Sequence, residues 1–93
     1  MDKIISADQI TLESLDNLSE DTVYELLNTI IKPLPVEVRS QYMSLIRKKF
    51  DIRTISSTKN NLKKDMILFG FKFFQIPNNE NFIMGIKRQH TFV

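Results

Sequence analysis

The stretch Ser56–Arg88, SSTKNNLKKDMILFGFKFFQIPNNENFIMGIKR, changes its hydrophobic period halfway along, which confines it to a mixed helix-and-strand architecture. Its first half predicts a basic helix over 57–69. Leu62, Met66 and Phe69 recur at i, i+4 and i+7 and are expected to face inward, with Leu68 flanking and Ser56 or Ser57 as N-cap. Gly70 is the natural residue just past such a helix. Beyond it, Phe71–Ile76 and Asn81–Lys87 are β-prone. Between them Pro77-Asn78-Asn79-Glu80 has turn chemistry, since Pro sets φ and Asn tolerates positive φ. Phe82, Met84 and Ile86 alternate onto one face; Ile83, Gly85 and Lys87 take the other, with Gly85 marking a bulge or a close backbone approach.

The chain before this stretch reads as helices. Residues 1–7 are expected to be a flexible arm with a short extended piece at Ile4–Ile5. Thr11 can cap a brief helix over Leu12–Asn17, and Ser19 caps the next, with Glu20 and Asp21 at its positive end. Val23, Leu26, Leu27, Ile30 and Ile31 form one apolar face of that helix, which Pro33 stops. Pro35 then suits the first turn of a helix whose stripe is Val38, Tyr42, Leu45 and Ile46, extending to Phe50. Asp51–Ile55 is a short strand or an extended turn. Together these predict an α+β fold: a small helical domain of three to four helices followed by a C-terminal β-hairpin. At 93 residues one domain over 8–93 is expected, following the arm.

Charge is distributed unevenly. Residues 1–31 carry seven acids against Lys3 alone, a local charge of −6, while residues 32–93 carry twelve Lys or Arg against four acids, a local charge of +8. A basic face suited to a polyanion is one consequence. Mutual neutralisation of two solvated faces is the plainer one. Arg47, Lys48 and Lys49 crowd a helix C-terminus, where the macrodipole alone accounts for cations.

Several classes of chemistry are excluded or disfavoured. There is no Cys, so no disulfide and no thiolate metal site, and His90 is the only histidine. Gly70 and Gly85 are the only glycines, so no phosphate-cradling glycine loop exists. The carboxylates of the first third fall at caps and outer helix positions, with no spacing that demands a metal. A non-enzymatic chain without cofactor or metal is expected. No apolar run reaches the length of a membrane span and the N-terminus does not read as a secretory signal, so an intracellular protein without membrane contact is the expectation.

Nucleic-acid binding is the reading these residues favour. Ser57, Thr58, Lys59, Asn60, Lys63 and Lys64 lie on or near the outer face of helix 57–69. Asn can pair bidentately with adenine in a major groove, while Ser, Thr and Lys reach phosphates or base edges. Arg53 precedes this helix. The hairpin adds Lys72, Asn78, Asn79, Lys87 and Arg88. The competing reading is an ordinary charged helix face.

The run NNLKKDMILFGFKFFQI…NFIMGIKRQ, with its Gly70-Phe71 helix end and its Gly85-Ile86-Lys87 return strand, resembles winged-helix modules. In outline it is similar to the C-terminal winged-helix modules of viral and phage D5-type primase-helicases. The resemblance covers about a third of the chain, Ser57–Arg88, and no ATPase motor accompanies it. It implies duplex DNA binding in replication or transcription regulation, with 57–69 as recognition helix and 71–88 as wing. The alternative is a small interaction module. Leu12, Leu15 and Tyr24 on the acidic, Leu-rich first third would suit a protein partner or a homodimer.

Overall fold

A computed structural model describes residues 6–89, so the extended piece expected at Ile4–Ile5 lies outside the described residues. The chain divides into two compact units, Met1–Lys49 and Phe50–Val93. The fold is α+β, with helices preceding a C-terminal hairpin.

In the first unit a single 3-10 turn, Ala7–Gln9, leads into α1 (Leu12–Leu15). Thr11 Oγ1 accepts from the Ser14 N–H at 3.1 Å, and Ser14 Oγ accepts from the Thr11 N–H at 2.9 Å, a reciprocal cap on the short helix. The next helix, α2 (Glu20–Leu26), begins at Ser19, whose Oγ accepts from the Thr22 N–H. It runs on into a π-helical turn, Leu27–Ile31, closed by Lys32 N–H donating to Leu27 O at 2.8 Å. The β-branched run Thr29-Ile30-Ile31 tolerates regular helix poorly. Asn28 Nδ2 and Thr29 Oγ1 donate to the Tyr24 and Glu25 carbonyls, groups that helical N–H donors normally take. Val23, Leu26, Leu27 and Ile31 are buried as the periodicity predicts, and Ile30 is half-buried.

Pro35 is the N-cap of α3 (Val36–Arg47). Of its expected stripe only Ile46 is fully buried; Tyr42 and Leu45 are half-buried and Val38 is exposed. Phe50, read as a continuation of that stripe, is instead the first residue of a strand. Lys49 Nζ reaches Asp16 Oδ1 at 2.7 Å, fastening the end of α3 to the end of α1.

The second unit contains β1 (Phe50–Ser56), α4 (Asn60–Leu68), β2 (Lys72–Gln75) and β3 (Phe82–Arg88), forming an antiparallel sheet of order β1-β3-β2. The stretch 51–55 is therefore a strand, not a turn, and pairs with β3 along its whole length, from Phe50↔Arg88 to Ser56↔Phe82. Residues 48–59 separate α3 from α4, where a helix-turn-helix has three or four residues. Most of that separation is β1.

Helix α4 is shorter than expected at its start. Ser56 belongs to β1, and Ser57 extends the ladder by donating its N–H to Asn81 O at 2.8 Å. Neither serine caps the helix; Lys59 occupies the N-cap without a side-chain bond. The C-terminal end follows the sequence closely. Gly70 has φ +94°, its N–H donates to Ile67 O, and Phe71 N–H donates to Met66 O at 3.0 Å, the two bonds of a Schellman motif. Phe71 then packs beside Met66, the apolar contact that accompanies that motif.

Met66 anchors α4 to one sheet face, in a cluster with Ile55 and Ile83 that Phe71 and Phe73 complete. Gly85 lies beneath it. A Cβ there would stand 2.9 Å from Met66 Cε and 3.0 Å from Phe73 Cε1, so the glycine serves close packing, not a bulge. The inward stripe expected of α4 reduces to Met66 alone. Leu62 is 41% exposed, Phe69 68% and Leu68 84%. Phe69 is the C-cap, with φ −86° and ψ 1°, and no longer follows the helical period. Among the described residues no helix is long and apolar enough to cross a membrane.

Candidate nucleic-acid interface

All twelve residues singled out for DNA contact fall in the second unit, and Leu12, Leu15 and Tyr24 all fall in the first. The second unit carries seven Lys or Arg against Asp51, Asp65 and Glu80, a charge of +4; the first carries six against eight acids, a charge of −2.

Two groups of candidates are brought together. The first is where the approach to α4 meets the hairpin turn. Ser57 Oγ donates to Glu80 O at 3.0 Å, alongside the Ser57–Asn81 backbone bond, so Ser57 and Thr58 lie beside the loop that carries Asn78 and Asn79. Asn78 has φ +65°, the conformation its side chain tolerates and most others do not. Asn79 Oδ1 accepts from the Asn81 N–H at 3.2 Å, and Gln75 Nε2 donates to Asn79 O at 3.0 Å, so the turn is internally braced. Thr58, Lys59, Asn60 and Asn61 are exposed and line a shallow concavity with Leu62.

The second group is organised by phenylalanine rings on the α4 face of the sheet. Arg53 lies 5.5 Å from the Phe71 ring centroid and Lys87 6.0 Å from the same ring, while Lys63 lies 5.8 Å from that of Phe73. Each such contact is worth about 0.5–1 kcal/mol at an exposed site and holds the cation's stem in place. Asp51 and Asp65 border the same groove, which Leu62, Met66 and Phe69 line from the helix side. Gln89 Nε2 donates to Asp51 Oδ1 at 2.9 Å.

Three candidates stand apart. The register Lys72↔Ile86 and Phe50↔Arg88 places Lys72 and Arg88 on the opposite sheet face, where Arg88 lies 4.6 Å from the Phe50 ring centroid. Lys64 points to solvent on α4.

The three docking candidates do not form one surface. Leu15 is fully buried at 0% exposure and is a core residue, Tyr24 is half-buried, and Leu12 is exposed. Exposed apolar surface lies instead at Phe69, expected to face inward, and at its flanking neighbour Leu68. Phe69 is the C-cap of α4, so the helical period that would have turned it inward ends before it.

Among the described residues no cluster of three His, Asp or Glu could hold a metal ion. Comparison with protein-family models, with curated proteins and with solved structures returned no match to this chain.

Proposed function

We propose that the second unit binds duplex DNA, without catalysis, through the end of α4 that meets the hairpin turn and the cations arrayed over Phe71 and Phe73. One observation carries the reading. The lysines of α4 stand where helix electrostatics does not ask for them: Lys59 at an uncapped N-cap and Lys63 and Lys64 within the first five residues, with no basic residue in the last turn. Cations near a helix N-terminus oppose the macrodipole, at a cost of about 0.3–1 kcal/mol each in the first turn. An anion docked there reverses that sign, because it meets the lysines and the helix's positive end together.

The exposed Thr58, Asn60 and Asn61 add hydrogen-bonding groups for phosphate or base edges beside these charges. Phe71 and Phe73 are half-buried and faced by cations, an arrangement that offers charge to a phosphate backbone more than open rings to unstacked bases. Duplex DNA is the fitting polyanion on that account.

Fluorescence anisotropy with a random-sequence duplex across a salt series tests the reading. The logarithm of affinity falls linearly with the logarithm of salt, by about 0.9 for each phosphate neutralised. Lys63→Glu with Lys64→Glu weakens binding about tenfold or more. Affinity unmoved by salt or by this double reversal overturns the proposal.

A further inference from the structure

Leu68, the last residue of α4, is 84% exposed, so it buries little of its side chain and contributes little to the fold. Met66 fixes how the helix is turned, because it packs on the sheet with Ile55 and Ile83. A step of 100° per residue then puts Asn61, Lys64 and Leu68 within about 40° of the direction opposite Met66. All three are exposed, and they form one stripe along the solvent side of the helix. Asp65 lies off that stripe, on the flank that borders the groove with Asp51. Lys63 lies on the other flank, near the Phe73 ring.

An amide, a cation and a branched apolar group in line are not what a merely solvated face calls for. They do match the edge of an A·T pair in a major groove. Adenine offers its N7 and N6 amino group to a side-chain amide, and thymine offers an apolar C5 methyl. From Asn61 to Leu68 the helix rises about 10 Å, the length of about three base-pair steps. Duplex DNA is anionic outside and apolar at the thymine methyl; the stripe is cationic beside an apolar point, in a unit of net charge +4.

We propose that this stripe reads A·T pairs from the major groove, with Asn61 paired to adenine, Leu68 resting on a thymine methyl and Lys64 on a flanking phosphate. The inference rests on the DNA reading above and adds to it a base preference, which phosphate contacts alone do not give.

Fluorescence anisotropy of the full chain with four alternating duplexes at one salt concentration tests it. The duplexes are A·T, A·U, G·C and I·C. A·U lacks the thymine methyl; I·C keeps the major-groove edge of G·C but lacks the guanine amino group in the minor groove. A·T binds about tenfold tighter than G·C, and I·C binds like G·C. A·U binds about threefold more weakly than A·T, the loss of one apolar contact. Leu68→Ala binds A·T and A·U alike, and Asn61→Ala loses most of the preference for A·T over G·C. Both positions are exposed, and circular dichroism verifies that the variants fold. Wild-type chain that binds A·T and A·U equally, a methyl preference that persists in Leu68→Ala, or I·C bound like A·T overturns this proposal and leaves the DNA reading standing. A chain that binds none of the four duplexes overturns both.

Discussion

The two units treat charge in opposite ways. In the first, acids occupy the opening turns of α1, α2 and α3 at Glu13, Glu20, Asp21 and Glu37, and Arg47 falls in the last turn of α3. Both polarities agree with the macrodipole, and Lys49 is further engaged by Asp16. Helix chemistry alone explains why those residues are there. In the second unit α4 has neither an acid in its first turn nor a base in its last, and its cations gather toward the positive end. Charge that stabilises an element needs no ligand to account for it. Charge that opposes its element points outward, and this contrast directs the functional reading to the second unit.

The largest effects separate core from surface inside the first unit. Leu15→Ala removes a fully buried side chain and is expected to cost about 2–5 kcal/mol of unfolding free energy. Leu12→Ala, three residues earlier and exposed, is expected within about 0.5 kcal/mol of wild type. Urea denaturation of both measures the difference. Equal costs would mean that Leu12 is as much a core residue as Leu15.

In the second unit the corresponding point of sensitivity is a glycine. A Cβ at Gly85 meets the tip of Met66 and the ring of Phe73 at 3.0 Å or less, so Gly85→Ala is expected to destabilise by about 1–3 kcal/mol, as over-packing does. Met66 is flexible, and Gly85→Ala with Met66→Leu should recover part of that loss, since the shorter branched side chain withdraws the clashing methyl. Thermal melting of the single and double variants decides it. A neutral Gly85→Ala would show that α4 is not held down on Gly85.

These sites show what the sequence made legible. The Gly70 stop, the positive φ of Asn78 and the two faces of β3 follow from local chemistry, because glycine, asparagine and period-two alternation leave few alternatives. Ser19 and Thr11 also act as the caps their positions imply. What failed was competition at a distance. Ser57 had the right chemistry for a cap, but its N–H is taken by Asn81, 24 residues later, and its hydroxyl by Glu80. Leu62 and Phe69 had helical spacing, but Leu62 stays 41% exposed and Phe69 is the C-cap, past the helical period. Of the candidate site, the grouping of Arg53, Lys63 and Lys87 around Phe71 and Phe73 depended on strand register, which no spacing in the sequence reveals.

The charge contrast itself can be broken by moving the reversal between units. Arg47→Glu with Lys48→Glu places the same change of four charges on the first unit as Lys63→Glu with Lys64→Glu places on the second. If the second unit carries the contact, the α4 pair weakens duplex binding about tenfold while the α3 pair changes it less than about threefold, through long-range field alone. Anisotropy titrations at one fixed salt concentration compare them directly. Equal losses would reduce the proposal to net charge without a site.

The smallest expected effect tests the caps. Ser19 Oγ accepts from the Thr22 N–H and closes the start of α2, so Ser19→Ala is expected to cost about 1 kcal/mol. Ser57 caps nothing, and its hydroxyl donates to an exposed carbonyl that water can satisfy instead. Ser57→Ala is therefore expected to cost less than half as much, about 0.5 kcal/mol or below. Chemical denaturation resolves a difference of that size. Should Ser57→Ala prove as costly as Ser19→Ala, the start of α4 would be tied down by Ser57 after all. The helix would then begin where its serines imply, and the lysines would stand further from its positive end than the proposed DNA contact requires.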